Sequence, residues 1–330
     1  MGFRAFVVTK VGDRMRTEVT ELDDEELGED PVVIDVEWAA LNFKDTMVVE
    51  PGNRVARRFP LIPGIDLAGT VAASGADGVE IGSKVLAHGY DLGVAHHGGF
   101  AERARVPADW VVPLPDGVSP RHAATVGTAG FTAALSLARL EANGVRADGG
   151  PVLVTGASGG VGSMAVSLLA HRGYEVVAST GKDAEHPYLL SLGATSVIGR
   201  DEVIGEEGRV LGPERWAAAV DCVGGATLAA VIRSLRYGGA VAASGLTGGN
   251  SFESTVYPFI VRSVALLGVD SVVTPIDERR AVWRSVATDF PKDIAESMVA
   301  GVVGLDGIDG ALEDLAAARV RGRVLVEPGR

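Results

Sequence analysis

From residue 151 onward the chain alternates short apolar runs with segments of helical length, and few folds accommodate that rhythm. PVLVTG, YEVVAST, TSVIG, WAAAVDCVG and AVAASGL read as strands, with helices in VGSMAVSLLAHRG, HPYLLSLGA and ATLAAVIRSLRYGG between them. Such alternation predicts βαβ units and a parallel sheet. The runs VLV, VVA and AVAA show no polar alternation, as expected when helices cover both faces of the sheet. A further strand is expected in VALLGVDSVV (264–273), followed by a helix in ERRAVWRSVATDF. Upstream, HAATVGTAGFTAALSLARLEANG reads as one helix stopped at Asn143-Gly144.

The first 120 residues have a different texture. Phe3–Val8, Pro31–Trp38, Ile65–Ala73, Ser83–Ala87, Ala101–Val106 and Trp110–Leu114 are short apolar runs broken by Gly, Pro and Asp. They read as strands of an all-β unit, and prolines such as Pro51, Pro60, Pro63 and Pro107 suit a coiled barrel better than helices. The last forty residues return to a mixed pattern, and RVRGRVLVEPG is expected to rejoin this first unit as a strand.

Composition narrows the functional classes. A net charge of −13 with no basic tract argues against a nucleic-acid partner. No apolar run reaches the roughly 18–20 residues that span a bilayer, and MGFRAFVVTKVGDRM has no pattern of an export signal. A soluble cytoplasmic protein is expected. The single cysteine, Cys222, excludes an internal disulfide and a four-cysteine zinc lobe. Glycine, at 44 of 330 residues, implies many tight turns or close backbone approaches.

The sharpest local signal is Thr155-Gly156-Ala157-Ser158-Gly159-Gly160-Val161-Gly162, between a predicted strand and a predicted helix. A dinucleotide fingerprint lies at such a place, here with alanine in the first glycine position: Ala157-x-Gly159-x-x-Gly162. Gly159 would let the backbone approach a pyrophosphate, and Gly162 would let the helix pack on the strand. The free N–H groups and the dipole at the helix start then favour an anion. An NAD site places an acid about 20 residues on, for the ribose hydroxyls. Here Ser179-Thr180-Gly181-Lys182 stands there instead, with Arg200 just past the third strand. Thr180, Lys182 and Arg200 suit a 2′-phosphate, so NADPH is the expected cofactor. Against this, Lys182 also reads as a solvated turn residue, with Asp183 beside it.

Several longer stretches carry a family resemblance over almost the whole chain. They are LNFKDTMVV (41–49), FPLIPGIDLAGTV (59–71), GGFAERARV (98–106), GTAGFTAAL (127–135), VTGASGGVGSMAV (154–166), RWAAAVDCVGG (215–225), YGGAVAASGL (237–246), PFIVRSVALLGVDSV (258–272) and RGRVLV (321–326). In their order and length they resemble the zinc-independent medium-chain dehydrogenase/reductase superfamily, and more closely its acrylyl-CoA reductase branch (AcuI, YhdH/YhfP-type) among the quinone-oxidoreductase-like proteins. The resemblance implies an α/β fold: a Rossmann doubly wound parallel sheet inserted in a GroES-like β-rich catalytic domain. Residues 1–122 and 291–330 would form the catalytic domain and 123–290 the NADP-binding domain.

The same resemblance implies further contacts. Ser158, Gly159, Gly160 and Val161 would hold the pyrophosphate; Thr180, Gly181, Lys182 and Arg200 the adenosine phosphate. Leu246, Ile260 and Ser271 would line the nicotinamide side. Phe43 falls where these relatives usually have tyrosine, which leaves packing against the cofactor and no proton to give. Lysine at 182 stands where arginine is common, keeping the charge without the planar fork.

Zinc chemistry wants Cys, His and a further Cys or Glu, and Cys222 is far in sequence from His88, His96 and His97. His96-His97 read as a loop pair, Cys222 as a small buried residue, and no metal is expected. Without a metal to polarise an alcohol, reduction of an activated double bond is favoured: hydride to the β-carbon of an enoyl thioester, hydrogen bonds to the enolate, and a proton to the α-carbon. Asn42 is the candidate to orient ring or carbonyl through its amide. For the proton, Asp45, an ordered water and Lys44 all remain open, as does the reading that Lys44 and Asp45 merely pair or cap the next turn. Three functions follow: reduction of acrylyl-CoA or a similar short enoyl-CoA, NADPH:quinone reduction, and a non-catalytic NADPH sensor. A CoA substrate would ask for a basic rim, for which Arg54, Arg57 and Arg58 are candidates. A homodimer through the VALLGVDSVV strand is also expected, because that apolar segment would otherwise be an exposed edge.

Overall fold

The computed structural model describes residues 2–205 and 209–330. Its contacts divide the chain into two compact units, one of Met1–Thr128 with Val272–Arg330 and one of Ala129–Ser271.

In the first unit, Phe3–Val11 and Arg14–Leu22 form an antiparallel hairpin. A second sheet runs Val299–Val303, Arg323–Val326, Val32–Ala40, Asp66–Ser74, Lys84–His88 and Val112–Pro113, with Arg103–Val106 also paired to Val32–Ala40. The late strand does rejoin this unit: Leu325 pairs with Ala40 and Val326 with Ala39, antiparallel. Phe6, Leu61, Ile62, Phe100 and Leu305 are fully buried in one core. Ile34, Leu67, Val85 and Val111 build a second.

Several elements of this unit escaped the sequence reading, among them the strand Val299–Val303 and the helices Lys292–Ser297 and Ile308–Ala316. Arg14–Leu22 has no apolar run; its residues alternate between half-buried and exposed, as on a half-wetted strand. Phe43–Val49, inside LNFKDTMVV, is a short helix.

The second unit holds a parallel sheet of six strands among the described residues. Their order is Ser196–Gly199, Val176–Thr180, Val152–Val154, Trp216–Asp221, Leu235–Ala243 and Ala265–Gly268. The first strand in sequence is central and the chain winds outward both ways, which is the doubly wound topology. Ligands of such sheets bind at the carboxyl ends of the strands where the winding reverses, here Val152–Val154 and Trp216–Asp221. No described helix is long and apolar enough to cross a membrane.

The unit boundaries fall at 128/129 and 271/272 rather than at 122/123 and 290/291. Two side-chain sets account for this. The helix Ile276–Asp289 packs into the first unit: Trp283 Nε1 donates to His88 Nε2 at 2.8 Å, and Arg279 Nη1 lies 2.8 Å from His88 Nδ1. His122 Nε2 meets the Phe290 carbonyl at 2.8 Å. The expected single helix is also broken, since Pro120–Ala142 kinks at Gly127 (φ 48°, ψ −155°). A Cβ there would sit 2.7 Å from Asp66 Oδ2, so only glycine lets the chain pass. The last strand of the sheet is shorter than 264–273, ending at Gly268. Val272 has already returned to the first unit, where its carbonyl accepts from Tyr90 N–H at 2.7 Å.

Candidate functional site

In the second unit the strand Val152–Val154 runs into a Gly-rich turn capped by Gly159, and the helix Gly160–His171 follows. The tight turn falls at Gly156 (φ +60°), so this residue does the work that the fingerprint assigns to its first glycine, one place before Ala157. A Cβ on Gly162 would lie 2.3 Å from the Gly156 carbonyl oxygen, which makes the third glycine obligatory for bringing the helix onto the turn. The N–H groups of the first helical turn have no intrahelical partner, and with the helix dipole they form a cradle for an anion.

The second strand delivers the residues expected for the adenosine side. Ser158 Oγ and Thr180 Oγ1 lie 3.0 Å apart, both buried, and Lys182 N–H donates to Thr180 Oγ1 at 3.2 Å. Gly199 pairs with Thr180 in the sheet, which carries the next residue, Arg200, to the same end. A Cβ on Gly181 would stand 3.3 Å from Arg200 Nη2, so the guanidinium lies directly over that glycine. The structure thus gathers Ser158, Thr180, Gly181, Lys182 and Arg200 beside Gly159, Gly160 and Val161.

The nicotinamide-side residues are more dispersed. Leu246 follows the fifth strand, and its Cα would be 3.3 Å from a Cβ on Gly224, just past the strand Trp216–Asp221. Ile260 stands on the short helix Tyr257–Val261 and is 74% exposed. Ser271 lies just beyond the strand Ala265–Gly268.

Sequence reasoning missed Asp221, which ties this edge together. Its carboxylate accepts from Thr155 Oγ1 at 2.6 Å and from Gly224 N–H at 2.7 Å, while Cys222 N–H donates to Thr155 Oγ1 at 3.1 Å. Burial pushes its carboxyl above the usual range, opposed by those hydrogen bonds.

In the first unit, Asn42 and Asp45 belong to a buried polar cluster. Asn42 Nδ2 donates to the Ala40 carbonyl at 3.1 Å and to Asp66 Oδ2 at 3.0 Å; Asn42 Oδ1 accepts from Arg323 Nη1 at 3.1 Å. Asp45 is fully buried. It accepts from Asn42 N–H at 2.8 Å, Gly64 N–H at 3.2 Å and Ile65 N–H at 3.1 Å, as a carboxylate capping the helix Phe43–Val49 does. Burial, reinforced by Asp66, pushes the Asp45 carboxyl up to about 7.

Arg323, also missed from the sequence, is the hub. It donates to the Thr125 and Leu41 carbonyls at 3.1 and 3.2 Å, and its Nη2 faces Asp66 Oδ2 at 3.7 Å. Asp66 also accepts from Ala40 N–H at 3.0 Å and Thr128 N–H at 3.1 Å. Burial presses the guanidinium below its ordinary value, and the two aspartates oppose that. Both amide ends of Asn42 and both oxygens of Asp45 are therefore engaged within the unit. Phe43, the first residue of the helix, is 41% exposed and faces outward from this cluster.

The alcohol dehydrogenase GroES-like domain family matches residues 28–116, and the zinc-binding dehydrogenase family residues 160–288. The chain is 46% identical to the putative quinone oxidoreductase YhfP of Bacillus subtilis over 98% of both chains. It is 45% identical to the acrylyl-CoA reductase AcuI of Ruegeria pomeroyi, over 98% of this chain and 99% of that one. The yhdH oxidoreductase of Salmonella enterica, solved in complex with NADP, superposes with a TM-score of 0.94 at 43% identity, covering 98% of this chain and 99% of that one. The Bacillus subtilis protein yhfP, solved with NAD bound, gives 0.96 at 46% identity and 99% coverage of both.

A zinc ion does not fit the residues present. Among the described residues no group of three or more His, Cys, Asp or Glu side chains gathers to hold one. Burial and Asp221 push the thiol of Cys222 up to about 12, as for a small buried residue. A dinucleotide does fit, since the turn at Gly156–Gly162 offers backbone N–H groups where a side chain would collide.

Proposed function

Because the chain belongs to the medium-chain dehydrogenase/reductase family, in its acrylyl-CoA reductase (AcuI, YhdH/YhfP-type) branch, we propose that it reduces the activated C=C bond of acrylyl-CoA, or of a similar short enoyl-CoA, with NADPH and without a metal. The observation that carries this reading is the near-full-length 45% identity to a protein named acrylyl-CoA reductase. The phosphate-binding pattern at Thr180, Lys182 and Arg200 supports NADPH, and the NADP-bound relative agrees with it.

When bound, NADPH supplies the hydride for the β-carbon of the thioester. The residues of the chain bind, orient and exclude water. Ser158, Gly159, Gly160 and Val161 receive the pyrophosphate on backbone N–H groups, and Thr180, Gly181, Lys182 and Arg200 receive the 2′-phosphate. Leu246, Ile260 and Ser271 line the nicotinamide side. Asn42 and Asp45 act as positioning residues, because every polar atom of their side chains is already engaged. They hold the 40–45 segment so that Phe43 presents its ring to the reactants. Phe43 has no proton to give and Asp45 is sealed from solvent, which leaves an ordered water or Lys44 to supply the proton of the α-carbon.

NADPH consumption with acrylyl-CoA, crotonyl-CoA and benzoquinone, measured side by side, tests the reading. Turnover is expected with acrylyl-CoA; activity with the quinone alone would replace it by the second reading, an NADPH:quinone oxidoreductase, which the name of YhfP favours.

The protein is also proposed to be a cytoplasmic homodimer. Ala265–Gly268 is the last strand of its sheet, and Tyr257, Ile260, Val261 and Leu266 around it are exposed. Edge strands of this kind are usually covered. Light scattering should give twice the chain mass at micromolar concentration, and a monomer would overturn the assembly.

A further inference from the structure

Resting on the enoyl-CoA reading, we propose that Arg58 and His97 form the landing site for a phosphate of the coenzyme A moiety. His97 is 7% exposed, and its Nδ1 accepts from the Ile62 N–H at 3.1 Å. A neutral imidazole has one acceptor and one donor, so Nε2 carries the hydrogen. The ring stays neutral at physiological pH, because burial, Arg58 and His96 hold its pKa down to about 4.

Nε2 points at Arg58 Nη2, 3.2 Å away. A guanidinium has five donors and no acceptor. Two donors therefore converge with no protein acceptor between them, an arrangement that an oxyanion completes by accepting from both.

The surroundings keep positive charge available here. Arg57 on the same loop is paired with Asp91. The Glu50 carboxylate accepts from Asn53 Nδ2 at 3.1 Å. The ring of His96, next in the chain, is turned to Asp30, 2.8 Å from its Nε2. No carboxylate among the described residues pairs with Arg58 or with Arg54, both exposed on the same loop.

The site is also mechanically joined to the catalytic segment. His97 holds Ile62, Gly98 N–H donates to the Ile62 carbonyl at 2.7 Å, and Gly64 N–H donates to Asp45. Ile62 and Gly64 are no more than about 7 Å apart along the chain. A phosphate on Arg58 and His97 would thus bind the strap that Asp45 anchors. A CoA thioester carries such groups, its 3′-phosphate and its pyrophosphate; a quinone carries none.

Calorimetric titration of the NADP⁺-loaded protein with coenzyme A and with dephospho-coenzyme A tests this, for wild type, Arg58→Gln and Arg58→Lys. Coenzyme A should bind Arg58→Gln about ten- to hundredfold more weakly than wild type, with part of the loss regained in Arg58→Lys. NADPH affinity, read by fluorescence, should stay the same and report an intact fold. If the 3′-phosphate is the group bound, dephospho-coenzyme A binds wild type as weakly as coenzyme A binds Arg58→Gln; if the pyrophosphate is, the substitution weakens both ligands alike. Equal coenzyme A affinity of wild type and Arg58→Gln, or none in wild type, overturns the site. Acrylyl-CoA turnover by the same preparations separates the two ideas. Turnover with no dependence on Arg58 removes this inference alone, whereas Arg58-dependent binding without turnover removes the proposed reaction and leaves the site.

Discussion

Replacing Arg323 with leucine should destabilise the first unit by about 3–5 kcal/mol, the usual cost of stripping a buried charge of its partner. Thermal denaturation should show this as a fall of about 6–20 °C in Tm for a unit of this size. The reason is the number of groups that one guanidinium serves. It faces Asp66, holds Asn42 Oδ1 and satisfies the Leu41 and Thr125 carbonyls, all buried. Leucine leaves Asp66, the Asn42 amide oxygen and two carbonyls without that partner.

The sign of the pH dependence follows. Asp45 already titrates near 7 against 3.8 for a free carboxyl, so its contribution to stability is complete below the unfolded value and declines as pH rises through the folded one. Loss of the cation pushes the Asp45 carboxyl further up. The Tm gap between wild type and Arg323→Leu should therefore be smaller near about pH 5 than above about pH 7. A gap independent of pH would mean that packing, and not charge, is what Arg323 supplies. Arg323→Lys should recover part of the stability, because it restores the charge without the fork that reaches both carbonyls.

The double substitution Lys182→Ala, Arg200→Ala should raise the KM for NADPH by about 100- to 1000-fold while changing that for NADH by less than about threefold. Each lost charge-assisted bond to the 2′-phosphate costs about 1.5–3 kcal/mol, and 1.4 kcal/mol is tenfold. Arg200 lies over Gly181 and Lys182 follows it, so both approach one group from different strands, and with a shared partner their losses add only in part. Initial rates with both coenzymes provide the check. A loss shared equally by NADPH and NADH would assign the pair to general folding of the adenosine side. The NAD-bound relative makes this more than a formality, since an unmodified ribose can enter a closely similar fold.

Both predictions concern residues that differ in how visible they were. The Gly-rich turn, Thr180 and Lys182 were legible because a dinucleotide site is built from consecutive residues on one strand–turn–helix unit. Even Arg200 could be placed, since parallel strands end on the same side of their sheet. One local detail was off: the first fingerprint position was read at Ala157, yet the turn is made one residue earlier, at Gly156 with its positive φ.

In LNFKD, Asn42 was visible as an amide to orient ring or carbonyl and Asp45 as a proton donor or a cap of the next turn, but neither as part of a buried bridge. Their partners beyond the segment come from 64–66 and 323, and the Asn42–Arg323 bond closes 281 residues of chain. The available hint was an arginine opening an otherwise apolar strand, Arg323–Val326, where an unpaired charge would be intolerable. Asp221 was hidden in the same way, meeting Thr155 across 66 residues.

The sequence alone determined the architecture and the dinucleotide chemistry, because hydrophobic period and turn composition are local and act within a few residues. Tertiary structure decided where the units divide, why the helix 120–142 must break at Gly127, and which side chains of the first unit are spent on one another. Those outcomes depend on burial. A carboxylate or guanidinium removed from water must find partners wherever the chain brings them, and no spacing along the sequence records that search.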